Sequence, residues 1–193
     1  MLNVVKIILM GLTGWVYILE INFKNICNME LIIIRGRQDD GKTTTATMLH
    51  NELVNRSSAV RFVKINGDHI PVGNEVQDFR SVIDLGKKRV AIISAGDDDD
   101  ALKEEMEKLL MVYRPDILVV CARAYDRSGS SYRMLTENYG DIMKDENEFW
   151  TEYTDDPTMA FDAKRKVVEK IVNRINEIQI LDSTSKCNTV VQR

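Results

Sequence analysis

Glycines at 36 and 41, a lysine at 42 and a threonine at 43 stand in the spacing G-x-x-x-x-G-K-[ST], here Gly36-Arg37-Gln38-Asp39-Asp40-Gly41-Lys42-Thr43. That spacing suits polyphosphate binding. A triphosphate needs several donors aimed at one small volume, and glycine permits backbone angles that turn successive N–H groups inward. In such a loop Lys42 reaches the β- and γ-phosphates and the Thr43 hydroxyl ligates Mg²⁺. Thr44 then enters a helix whose free N–H groups and positive dipole end add to the attraction. The plainer alternative is a glycine-containing turn before an ordinary helix. Asp39 and Asp40 work against anion binding unless they point outward or help to organise the metal.

Three further groups carry chemistry. Ile92-Ile93-Ser94-Ala95-Gly96-Asp97 is an apolar strand that delivers a carboxylate to a loop edge, which makes Asp97 the expected support for Mg²⁺ or its water shell. Asp98 to Asp100 read instead as a helix N-cap and acidic first turn. In Asn66-Gly67-Asp68-His69-Ile70, Asp68 is either a base that accepts the proton of an acceptor hydroxyl or a residue that shapes a turn. The segment 122–133 is polar and holds three arginines. As a lid it brings Arg123 or Arg127 to a γ-phosphate; as a solvated loop it pairs its arginines with nearby acids.

These groups must be carried by regular elements. Apolar runs at 29–35, 59–65, 89–94 and 116–121, with a weaker aromatic one at 148–153, predict about five strands. Segments 43–55, 74–85, 98–112 and 157–178 have helical length between them. Alternation of the two implies a mostly parallel sheet covered on both faces, with ligands at the carboxyl ends of the strands.

On Gly36 to Thr43 and Asp97, the chain resembles the P-loop nucleoside triphosphate hydrolase superfamily from about residue 29 to residue 180. The resemblance implies a three-layer α/β sandwich that binds ATP or GTP with Mg²⁺. Arg37 stands where the partitioning and nitrogenase-iron-protein branch carries a signature lysine. The Gly67-Asp68-His69-Ile70 turn is similar to the Gly-Asp-x-Ile turn of adenylylsulfate-kinase-like enzymes. The absence of an Asn-Lys-x-Asp signature favours ATP over GTP. Three functions stay open: an NTPase, a small-molecule kinase with Asp68 as base, and a binding or partner-regulated switch module without turnover.

The remainder of the chain bounds these readings. With 193 residues, 44% of them hydrophobic and 29% charged, one packed nucleotide-binding domain is expected at 29–181, followed by a polar tail at 182–193. A net charge of −4 gives no global basic field for nucleic acid. Three widely spaced cysteines, Cys27, Cys121 and Cys187, argue against a disulfide framework or a zinc site and favour the cytoplasm. Residues 1–28 contain an apolar stretch from Lys6 to Leu19, short for a bilayer span and poorly flanked for a signal peptide. An upstream extension, an extra packed segment and a membrane anchor are the alternatives there.

Overall fold

The computed structural model of the chain describes residues 5–10, 16–21, 29–65 and 78–188. Near the amino terminus, β1 (Val5–Met10) and β2 (Val16–Ile21) pair antiparallel as a two-stranded sheet, with Val5 opposite Ile21. The described parts of the apolar stretch from 6 to 19 are therefore strands. Among the described residues no helix is long and apolar enough to cross a membrane.

The main body is α/β. Its strands are β3 (Glu30–Gly36), β4 (Ala59–Ile65), β5 (Phe79–Leu85), β6 (Lys88–Ile93), β7 (Ile117–Arg123) and β8 (Glu148–Trp150). They form one six-stranded sheet in the order β4-β5-β6-β7-β3-β8. The pairs β6–β7, β7–β3 and β3–β8 are parallel, whereas β5 runs against both β4 and β6. The sheet is thus mixed.

Among the described residues, four α-helices cover it: α1 (Lys42–Arg56), α2 (Asp99–Tyr113), α3 (Ser131–Tyr139) and α4 (Pro157–Asn188). Side chains alternate across a strand, so β3 sends Ile32 and Ile34 to one face and Leu31 and Ile33 to the other. The first pair meets Leu49 and Leu53 of α1 and Ile171 and Ile175 of α4. The second meets Leu102 and Met106 of α2 and Leu135 of α3. Burial on both faces explains why β3 and β7 read as unbroken apolar runs rather than alternating ones.

The sequence reading needs correction in three places. Segment 74–85 was expected to be helical, yet Phe79–Leu85 is the reversed strand β5. Val82 and Ile83 are β-branched and fully buried, and Leu85 faces Lys88 across the two-residue turn Gly86-Lys87, with Gly86 at φ 61°. A glycine-led two-residue link between apolar runs is a hairpin signal, and it outweighs helical length. The segment after β7 is not one long loop, because Ser130 caps α3 by accepting a hydrogen bond from the Arg133 backbone. Finally, α4 continues to Asn188, through a stretch that contains neither glycine nor proline. Its start is set by Asp156, whose carboxylate accepts from the Thr158 and Met159 N–H groups, with Pro157 at the first helical position.

This topology sets a switch point. From β3 the chain builds β4 to β7 on one side and then returns to β3's other edge with β8. Connections diverge at the carboxyl end of β3, the position where open α/β sheets bind ligands.

Candidate functional site at the carboxyl end of β3

The glycine loop springs from the end of β3, where Gly36 is level with Arg123 of β7. Asp39 (φ 65°) and Gly41 (φ 84°) are left-handed, and Gly41 is the N-cap of α1. No side chain caps that helix and its first turn holds no acid, so its leading N–H groups face the loop unneutralised. Glycine is required at both positions for different reasons: a Cβ at Gly36 would lie 2.2 Å from Thr151 Oγ1, whereas Gly41 needs its left-handed backbone, and its nearest neighbour is the flexible end of Lys164.

Lys42 folds back across this loop. Only 8% exposed, its ammonium donates to the Arg37 carbonyl at 2.7 Å and stands 3.9 Å from Asp97 Oδ1. The two acids of the loop behave differently. Asp39 is exposed with Arg37 and Gln38, whereas Asp40 is buried and accepts from the Arg37 N–H at 2.6 Å. Asp40 therefore occupies one of the backbone donors of the loop.

Thr43 turns toward another acid. Its hydroxyl donates to Asp78 Oδ1 at 3.1 Å, and the Ser94 hydroxyl lies 3.4 Å from the same oxygen. Ser94 is fixed in turn, because its oxygen accepts from the Phe79 N–H at 2.7 Å. The reversed β5 thus starts where β6 ends, and carries Asp78 to the loop threonine. Asp78 is hidden in the sequence because helical length masks the strand that it precedes. The recoverable signal was the hairpin at Gly86-Lys87.

Asp97 lies one residue beyond Gly96, which crosses β7 so closely that a Cβ there would sit 1.7 Å from the Cys121 carbonyl oxygen. Ser131 bonds the Gly96 carbonyl and accepts from the Arg123 N–H, which ties this crossing to the start of α3. Asp97 pairs with Arg123 through Nε at 2.9 Å. Asp98 caps α2 by accepting from the Ala101 N–H at 2.8 Å, so the first two members of the aspartate run have separate tasks. Beneath them Cys121 is fully buried, and burial pushes its thiol up to about 12, which removes it as a nucleophile at neutral pH.

The expected site residues therefore divide. Gly36, Arg37, Gln38, Asp39, Asp40, Gly41, Lys42 and Thr43 form one loop, Thr44 follows in α1, and Asp97 and Arg123 join Lys42. Arg127 stands apart, with its guanidinium 5.7 Å over the Tyr125 ring. Arg133 pairs with Glu137 and Asp126. Asp68 lies outside the described residues.

One structural cation also went unread. Arg35, the residue before Gly36, lies between the rings of Tyr132 at 3.4 Å and Trp150 at 4.3 Å. It bonds Glu148 at 2.8 Å and the Ala124 carbonyl at 2.7 Å. Arginine suits this because its planar fork stacks and bonds at once. Burial, and then its bond to Glu148, push the Tyr132 hydroxyl up to about 12. Together these contacts pin the end of β3 to β8 and α3, and so fix where the glycine loop begins.

Comparison of the chain with protein-family models, curated proteins and solved structures gives no match. The account of the site rests on its residues.

Proposed function

We propose that this chain binds a Mg²⁺–nucleoside triphosphate, ATP by preference, in the loop from Gly36 to Thr43 of a P-loop fold, and hydrolyses or transfers its γ-phosphate. One observation carries the reading: the loop lysine and an acid from the loop between β6 and α2 stand together, Lys42 Nζ 3.9 Å from Asp97 Oδ1. Chance occurrence of the motif gives no reason for that meeting. The parts then have distinct roles. The backbone of the loop and the first turn of α1 donate to phosphate oxygens. Lys42 exchanges the Arg37 carbonyl for the phosphates, and Arg123, paired with Asp97, stabilises charge on the transferred group.

A magnesium ion fits the donors at hand. Thr43, Asp78 and Asp97 offer only oxygen. Few protein ligands and a hard oxygen set suit an ion that keeps waters and takes its other ligands from phosphate. When bound, it neutralises charge on the phosphate oxygens. Thr43, Asp78 and Asp97 are the residues that would hold it.

Asp40 favours a second reading, a nucleotide-dependent binding module with little turnover. Its carboxylate already occupies the Arg37 N–H and adds negative charge to the loop. The kinase reading depends on Asp68 and gains nothing from the described residues.

A screen of the purified full chain against ATP, GTP and their diphosphates, with binding and phosphate release followed with and without Mg²⁺, separates these. The proposal predicts Mg²⁺-dependent ATP binding with phosphate release. Binding without release selects the module; no nucleotide binding under any condition contradicts both.

A further inference from the structure

Lys164 of α4, the helix packed beside α1, makes a contact at the loop that the motif does not require. Its Cε would lie 2.0 Å, and its Nζ 3.0 Å, from a Cβ placed on Gly41. The side chain is thus laid directly on the last glycine of the loop, from a helix more than a hundred residues further along the chain. It is half-buried, and its ammonium reaches only the Ala160 carbonyl one turn back in its own helix, at 3.4 Å. Among the described residues no carboxylate pairs with it.

That placement is electrostatically unfavourable as it stands. Gly41 is the N-cap of α1, whose first turn carries no acid, so Lys164 lies against the positive end of a helix dipole. Lys42 adds a buried ammonium one residue away. Two lysines and a helix N-terminus converge there. Asp40 is engaged with the Arg37 N–H, and Asp97 is shared between Lys42 and Arg123, so neither carboxylate answers Lys164. An anion of more than one charge resolves this excess, and a short flexible turn of the Lys164 stem about Gly41 brings its ammonium to it.

Resting on the nucleotide-binding reading above, we propose that Lys164 is a second phosphate-contacting lysine of this site, supplied by the C-terminal helix. It discriminates by phosphate charge, so that triphosphates gain more from it than diphosphates. It also makes the seating of α4 on α1 sensitive to nucleotide.

The test uses full-length wild type, Lys164→Met, Lys164→Arg and Lys42→Ala, titrated with ATP, ADP and inorganic tripolyphosphate in Mg²⁺, with melting followed in the absence of ligand. Methionine keeps the apolar stem over Gly41 and removes the charge. The expected result is about tenfold weaker binding of ATP and tripolyphosphate by Lys164→Met, a smaller loss for ADP, and recovery in Lys164→Arg. Its ligand-free melting temperature is expected to be unchanged or raised, since a like charge has left the helix end. Wild-type affinity in Lys164→Met, with binding lost in Lys42→Ala, overturns the proposal and leaves the site reading intact. A lowered ligand-free melting temperature without rescue by arginine also overturns it, in favour of packing alone. If wild type binds none of the three probes, the site reading itself fails.

Discussion

At the scale of single residues, the two acids flanking the loop have different partners, and this separates their expected effects. Asp78 holds the Thr43 hydroxyl, whereas Asp97 faces Lys42 and Arg123. Asp78→Asn is expected to raise the Mg²⁺ concentration needed for half-maximal phosphate release by roughly 10- to 100-fold, because it disorients the metal-side hydroxyl. Asp97→Asn is expected to lower turnover by a similar factor. Magnesium titrations of phosphate release read both, and an unchanged profile in either variant removes that residue from the site. Gly36 offers a steric test. A methyl group there meets Thr151 Oγ1 at 2.2 Å, so Gly36→Ala should cost about 1–3 kcal/mol in urea unfolding. Adding Thr151→Ala should recover part of the loss; strict additivity would show that the two do not meet. Lys42 and Asp97 could each be singled out in the sequence, the first by the glycine-loop spacing and the second as the first acid after an apolar run, but their pairing could not. Lys164 and Asp78 could not be singled out, since a lysine in a long helix and an acid before a strand look like many others until the chain is folded.

At the scale of elements, α1 does two jobs: its amino end faces the loop and its flank packs on β5. His50 sits on that flank, with Nδ1 3.0 Å from Ser81 Oγ and its ring edge-on to Phe79 at 5.3 Å. Burial lowers its pKa from the ordinary 6.5, because the charged form loses its water. The unfolded chain therefore binds the proton more readily than the folded one. Stability is complete above pH 6.5 and declines as pH falls below it, toward the lowered folded value. Urea midpoints between pH 7.5 and 5.5 should fall for wild type and fall less for His50→Gln, a pair of curves that stays parallel if burial of His50 is not the cause. The same helix was read well from sequence. β5 was not, because Arg80, Ser81 and Asp84 interrupt its apolar residues and mimic helical spacing until the hairpin pairing is imposed.

At the scale of the whole molecule, a mixed sheet between two helical layers brings the end of β3, the ends of β6 and β7, the start of β5 and the early turns of α4 to one edge. Strand and helix alternation made that α/β architecture readable, because fully buried strands advertise themselves as continuous apolar runs. The reversed direction of β5 and the full length of α4 were not readable, since tertiary pairing decided the first and the absence of a breaker only permits the second. Binding a triphosphate at this edge should stabilise the entire fold by mass action, so the melting temperature should rise with ligand concentration. The most direct measurement is a calorimetric titration of the full chain with Mg²⁺–ATP, beside Lys42→Ala under the same conditions. The account predicts saturable binding by wild type that weakens by about 100-fold or more in Lys42→Ala, whose ammonium is the only lysine charge inside the loop. Equal affinity in the two proteins, or no heat in either, would contradict it.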